Sequence, residues 1–398
     1  MHYKPISKSG DRIIEDPRLV DEYLAKELSR RQLVRGAMIG AVGTWLGASG
    51  LAACGPAGNR MDGGTDTGGG GDAGMPDAVT ADTGPMRMPH LVGMGYHESD
   101  ERAAIQAALD ETIGLSMIRR GDSVYLRVNS NSGDPYPYST SPELLLMVGG
   151  MLRDMGVTDL RIGDRSFWGD RNTANNLSNN GIAGAAMTLG TTAVAYEDVG
   201  TTWVTLPAGT VPDWVGTVRL PEPVTSATHI ITLGCMKTHF IATFTMTLKI
   251  SLGLVHPTDR ARAGNLMVHD AIARRLGRQI AQISKAYTPS LVLIDGWQAL
   301  ITGGPTPTDR TMGRGGDTAD PHVVIASTDR IAADVAGIAV LQTICPTTEP
   351  VTRGLPFANP QIAAAVTAGG LGITGADAFD LSGPTVPMVD MYRSRVTG

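Results

Sequence analysis

Short apolar runs and longer amphipathic stretches alternate from residue 89 to the end of the chain. Ser123 to Val128 reads as a strand. Ser141, Pro142 and Glu143 open a helix that runs to Asp154: a serine cap, a proline at the first helical position and an acid in the first turn. Gly156 ends it. Asp159 to Gly163, Thr192 to Tyr196, His229 to Leu233, Leu291 to Ile294 and His322 to Ala326 read as further strands. Residues 171–189, 241–254, 264–286 and 330–342 read as helices, the third of them long and amphipathic. Residues 198–228 are rich in turn formers and carry no assignment. Strands alternating with helices of this length predict an α/β domain over 89–398, a mainly parallel sheet with helices on both faces.

The first 54 residues have a different pattern. A polar stretch leads to Ser29-Arg30-Arg31-Gln32-Leu33-Val34-Arg35, which resembles the twin-arginine export motif. Residues 36–53 are apolar but contain five glycines. That length is at the short end for spanning a bilayer, and each glycine weakens a helix by roughly 0.5–1 kcal/mol relative to alanine. Leu51-Ala52-Ala53-Cys54 resembles a lipobox. Residues 1–54 therefore read as a twin-arginine lipoprotein signal peptide with the lipid on Cys54, the alternative being an N-terminal helix that is kept. The expected partners are the twin-arginine translocase, the lipoprotein-processing enzymes and, through the lipid anchor, a membrane. The expected location is periplasmic or at the cell surface. Residues 55–88 are dominated by Gly, Asp and Thr, have almost nothing to bury, and read as a disordered linker. Their aspartates fit no EF-hand spacing.

Charge and cysteine content narrow the classes of function. Without residues 1–53, which carry eight Lys or Arg and six Asp or Glu, 25 basic and 33 acidic side chains remain. An acidic chain with no basic run excludes a phosphate-backbone footprint, so nucleic acid is not an expected partner. The chain has three cysteines, Cys54, Cys235 and Cys345, and no CxxC pair. No iron–sulfur cluster is expected within it, and no structural zinc site of the usual spacing. A Cys235–Cys345 disulfide formed after export is one open reading.

In a parallel sheet, ligands bind outside the carboxyl ends of the strands. The groups just past those ends are Asn129 and Asn131, Asp164 and Arg165, Glu197 and Asp198, Lys237 and His239, Asp295, and Asp329. Lys237 and His239 stand two apart in extended chain and so face one side. With Lys249 and His256 they make a locally basic region suited to carboxylate or phosphate groups. Asp164, Asp295, Asp329 and Asp334 offer oxygen ligands for a hard metal. Asp329 also stands where the cap of a helix from Ile331 belongs. Cys235 reads as a nucleophile with His239 as its base, or as a buried strand cysteine. Neither GxGxxG after the first strand, nor a Walker A loop, nor GxSxG is present.

The order of these segments resembles a bacterial and archaeal family named only as domain of unknown function 362, over roughly residues 115–345. The matching elements are Leu126-Arg127-Val128-Asn129, Ile162-Gly163-Asp164, Met236-Lys237-Thr238-His239 and Thr247-Leu248-Lys249. They continue with Leu293-Ile294-Asp295-Gly296, Gly303-Gly304-Pro305, Ala326-Ser327-Thr328-Asp329 and Ala332-Ala333-Asp334. The family usually shows lysine and proline around the first asparagine, where this chain has Arg127 and Val128, and asparagine where it has Ile250. Many members carry ferredoxin-like cysteine clusters, which are missing here. The resemblance implies the fold and a site in these segments, with no settled reaction or cofactor. Asn129, Asp164, Lys237, His239, Lys249, Asp295 and Asp329 are thus the candidate ligand-binding residues of one crevice. Two functions fit: an enzyme or cofactor-dependent protein with its site at the strand ends, or a non-catalytic lipoprotein that captures an anionic small molecule. The departures at Arg127, Val128 and Ile250 also fit an inactive site.

Replacing Arg30 and Arg31 together by lysine is expected to hold the precursor in the cytoplasm, and Cys54→Ala to abolish lipid labelling. Cell fractionation and fatty-acid labelling read both. Normal export of the double-lysine variant would overturn the export assignment.

Overall fold

The structure, a computed structural model, describes residues 90–166, 172–197, 200–262, 265, 275–307 and 316–398. The expected signal peptide and linker, Asp198 and the first part of the predicted helix 264–286 lie outside the described residues. Strands are β1 Val92–Tyr96, β2 Ser123–Arg127, β3 Asp159–Asp164, β4 Ala193–Ala195, β5 Trp203–Thr205, β6 Arg219–Pro221, β7 His229–His239, β8 Thr243–Thr245, β9 Leu291–Leu300, β10 Thr318–Ala319, β11 Val323–Ser327 and β12 Leu381–Ser382. Helices are α1 Glu101–Asp110, α2 Pro142–Asp154, α3 Thr173–Asn179, α4 Ile182–Thr188, α5 Glu222–Ser226, α6 Pro257–Arg260, α7 Arg275–Ser284, α8 Arg330–Ile344, α9 Pro360–Ala368 and α10 Val386–Thr397.

The main sheet runs in the order β12-β1-β11-β9-β7-β2-β3-β4. From β4 to β9 every neighbour is parallel. Alternate residues of these strands enter two separate cores, as a sheet covered on both faces requires. Val124, Leu126, Ile231, Leu233, Leu291 and Leu293 pack under α1, α2 and α4. Tyr125, Ile230, Val292, Ile294, Val323 and Ile325 pack under α7, α8, α9 and α10. The predicted α/β class is the observed one.

Connectivity creates one special place in this sheet. From β2 the chain steps outward to β3 and β4, then returns to the other side of β2 as β7 and continues to β9. The order reverses between β2 and β7, the kind of switch point at which an open α/β sheet leaves a crevice.

Three expectations change. Residues 241–254 form no continuous helix. Thr243–Thr245 pairs antiparallel with Lys237–His239, and a 3-10 turn follows over Lys249–Leu254. Residues 171–189 break at Gly181, in the left-handed region at φ 84°, into α3 and α4. The strand from 323 is antiparallel to β9: Val323 pairs with Gly296 and Ser327 with Val292. Its carboxyl end therefore points to the amino-terminal edge of β9. Elements at both ends of the domain complete the sheet, and β1 lies between β11 and β12. Gly93 and Gly95 let α1 lie directly on β1, because a Cβ at either would strike the Ala108 or Ala104 carbonyl.

Asp329 consequently belongs to the start of α8 and to no strand-end crevice. Its Oδ1 accepts from the Ala332 amide at 2.8 Å and Oδ2 from the Ile373 amide at 2.6 Å. Asp329→Ala is expected to lower stability by about 1–2 kcal/mol, as loss of an N-cap does, and to leave anion binding unchanged. Denaturant unfolding and a binding titration on the same variant measure the two effects.

Candidate functional site

The strand ends at the switch point carry a buried ion pair. The Arg127 guanidinium, from β2, holds the Asp164 carboxylate of β3 at 3.0 Å with both side chains almost fully enclosed. Asp164 Oδ2 also accepts from the Ser130 amide at 2.6 Å and Oδ1 from the Arg165 amide at 2.7 Å. Arg127 further donates to the Val128 and Ile250 carbonyls. Burial works against the guanidinium's charge, but the Asp164 carboxylate beside it and nearby tyrosines leave its pKa above the ordinary value. This pair fastens β2, β3 and the 3-10 turn together. Gly253 in that turn is required: a Cβ there would collide with Asp164 Oδ1 and Arg127 Nη2.

The turn is fixed from its other end by Asp334 of α8. Its carboxylate accepts from the Thr247 amide at 2.8 Å, the Thr247 hydroxyl at 2.7 Å and the Leu248 amide at 3.0 Å. Burial raises its pKa to about 6, against those hydrogen bonds. Asp334 is thus a clamp that presents Lys249.

Between these anchors lies a cavity lined by Arg127, Asn129, Asp164, Arg165, Lys237, Thr245, Lys249 and Arg260, with Asn131, Gly253 and Pro305 at its borders. Its volume is about 50 Å³, on a scale where one water needs roughly 10–15 Å³. It admits a small anion or a few waters. The lining has five bases and one acid. Asp164 neutralises Arg127, and Glu197 lies 3.2 Å from Arg165 Nε. Lys237 donates to the Tyr138 carbonyl, and Arg260 to the carbonyls of Leu252 at 3.3 Å and Ser166 at 3.2 Å, contacts that bring no negative charge. Lys249 has no hydrogen-bonding or ionic partner among the described residues. Burial first, then Lys237 and Arg260, push its pKa down to about 7. Burial, then Arg165, lowers Arg260 to about 9. Thr245 also faces the cavity, and its buried hydroxyl has no partner among the described residues.

Four of the seven candidates, Asn129, Asp164, Lys237 and Lys249, share this cavity. The other three do not line it. His239 closes the β7–β8 hairpin: its Nδ1 accepts from the Ile241 and Ala242 amides, both at 3.2 Å, and its ring stacks on Phe240. Lys237 and His239 keep the regular alternation of the β7–β8 ladder, opposite Thr245 and Thr243, but His239 stands at the hairpin end, outside the cavity lining. His256 caps α6 and meets the Trp203 ring edge-to-face, 4.4 Å between centroids. Asp329 lies four strands from β3, roughly 20 Å by interstrand spacing alone, beyond any shared contact. Cys235 and Cys345 are buried free thiols, and Cys235 Sγ accepts from Asn129 Nδ2 at 3.2 Å. The aspartates do not gather: among the described residues no three His, Cys, Asp or Glu side chains form a group able to hold a metal. Thr245 and Arg260 did not stand out in the sequence, and Arg127 did so only as a departure from the family pattern inside an apolar strand.

Asp295 turns to the other face with Leu291 and Leu293. Its Oδ1 accepts from Tyr136 Oη at 2.6 Å and the Trp297 amide at 2.9 Å. Its Oδ2 has no donor partner among the described residues and faces Glu101 of α1, an arrangement in which two ionised carboxylates repel each other and a proton held between them relieves the repulsion. Burial, then the Glu101 charge, raises Asp295 to about 8. An unfolded aspartate titrates near 4. The folded state therefore keeps a proton that the unfolded state releases, and Asp295 favours folding less as pH rises from about 4 to about 8. Asp295→Asn, whose amide donates permanently to Glu101, is expected to flatten the fall of melting temperature over that window. An unchanged slope would show that no proton is shared.

The family model for the domain of unknown function 362 matches residues 124–339. That span runs from β2 into α8 and contains every residue of the cavity lining. A thylakoid-associated protein of Synechocystis sp. is 25% identical over 307 residues, which cover 76% of this chain and 86% of the relative. With more than half its length matched, the chain belongs to the domain of unknown function 362 family.

Proposed function

We propose that this protein is an exported, lipid-anchored member of its family that binds a small anionic molecule in the switch-point cavity. The observation that carries the reading is Lys249: a cation without a counter-charge, set in a cavity beside Lys237 and Arg260. Buried charges are ordinarily paired, and an unmatched cation such as Lys249 is stabilised when an anion enters the cavity. The unsatisfied Thr245 hydroxyl supplies a neutral donor to the same ligand. Asn129 and Asn131 border the cavity and offer amide groups for orientation. Anchoring rests on the Arg30-Arg31 motif and Cys54, and the thylakoid association in the relative's name is in keeping with a membrane-attached protein.

Sulfate is the appropriate probe, since its charge is constant over the working pH range. It is expected to bind more tightly as pH falls from about 8 to about 6, because the bound anion favours protonated Lys249 and binding takes up a proton near pH 7. Lys249→Met should weaken binding about 10–100-fold, the worth of one charge-assisted hydrogen bond. Calorimetry in two buffers of different ionisation enthalpy measures affinity and proton uptake together. Affinity independent of pH and of Lys249 would overturn the reading.

A further inference from the structure

Lys249 has a second chemical consequence, which rests on the anion reading of the same cavity. Lys237, the other lysine of the lining, is fully enclosed and its amine is committed to the Tyr138 carbonyl. Lys249 is half-buried, opens to the cavity and makes no such commitment. The groups facing it are the cations Lys237, Arg260, Arg127 and Arg165 and the single carboxylate Asp164, which Arg127 already engages.

We infer that Lys249 is a nucleophilic amine and that the anion it meets is a small 2-oxo carboxylate, whose carbonyl it converts to an imine. The chemistry follows from two features of the site. The cluster of cations holds the ligand's carboxylate, and a 2-oxo acid then carries its carbonyl carbon one bond away from that anchored group. The amine nitrogen attacks this carbon. The carbonyl oxygen leaves as water with both amine hydrogens, and a carbon–nitrogen double bond replaces the carbon–oxygen one, so no oxidant or reductant is needed. Protonated, the new imine keeps its positive charge beside the ligand's own carboxylate. A lysine works in this way only when a sizeable share is neutral near pH 7, and enclosure beside other cations supplies that condition. Thr245 and Asn129 stand in the same lining and can hydrogen-bond the departing oxygen. A cavity of about 50 Å³ limits the ligand to the size of a three- or four-carbon acid, or of the head of a longer one that leaves through its mouth.

The test is reductive trapping on the full chain with pyruvate and cyanoborohydride, followed by peptide mapping. The chain has six lysines, so each site is resolved separately. Lys285, exposed and bonded to the Ala368 carbonyl, is the internal control. The reduced pyruvyl adduct is expected on Lys249 in at least about tenfold excess over Lys285 at neutral pH, since Lys249 lines the cation-rich cavity that holds the ligand's carboxylate and Lys285 does not. Excess sulfate should suppress it. Adduct formation no richer on Lys249 than on Lys285, with sulfate still bound in calorimetry, overturns the imine and leaves the anion site standing. Failure to bind both pyruvate and sulfate overturns both.

Discussion

The Arg127–Asp164 pair is the interaction on which the rest of the site depends. It is enclosed almost completely, and its atoms are satisfied on several sides: Asp164 takes two backbone amides as well as the guanidinium, and Arg127 reaches the carbonyls of Val128 and Ile250. Ion pairs buried this deeply recover their desolvation only when such extra hydrogen bonds are present, and removing one partner costs about 3–5 kcal/mol because the other charge is stranded. What the pair secures is geometry. It joins the ends of two parallel strands to the 3-10 turn that carries Lys249, and Gly253 is the residue that lets the turn approach closely enough. Arginine suits this place where the family usually has lysine, since a planar guanidinium can serve a carboxylate and two carbonyls at once, whereas an ammonium is a compact point donor.

Around that anchor an acidic protein has built a basic cavity. The net charge of −6 says nothing about the local field. Field lines concentrate in an enclosed crevice, and here carboxylates neutralise two of the five bases while Lys237 and Arg260 donate to backbone carbonyls. The low dielectric that makes this arrangement costly when empty is what would favour an entering anion under the proposed function. It also keeps Lys249 near its titration point, which the proposed anion binding and the proposed imine chemistry both require.

Several groups with the look of catalysis hold the frame instead. Asp334 clamps the turn, Asp329 and His256 cap helices, His239 closes a hairpin, and Asp295 faces Glu101 on the opposite side of the sheet. Two family segments far apart in sequence, Thr247-Leu248-Lys249 and Ala332-Ala333-Asp334, are explained by one contact: the second holds the first in place.

The sequence alone determined what depends on near neighbours. The serine cap and proline of the helix from residue 142, the apolar runs of β2, β3, β7, β9 and β11, and the capping geometry of Asp329 follow from spacings of a few residues, and so does the α/β class. Reading the residues just past apolar runs found Asn129, Asp164, Lys237 and Lys249. Tertiary structure decided the remainder. Strand direction is not written in a strand: Val323–Ser327 looks the same in either sense, and only its antiparallel pairing with β9 takes Asp329 away from the crevice. The run 241–254 had helical spacing, but Thr243–Thr245 gained a partner in β7, and pairing overrode a weak local preference. Arg127 is a charged residue within a strand, and its meaning rests on Asp164, 37 positions away, and Gly253, 126 positions away, being its neighbours. Whether a lysine is a solvated surface charge or an unmatched cation in an enclosed cavity depends on distances through space, which the order of residues along the chain does not contain.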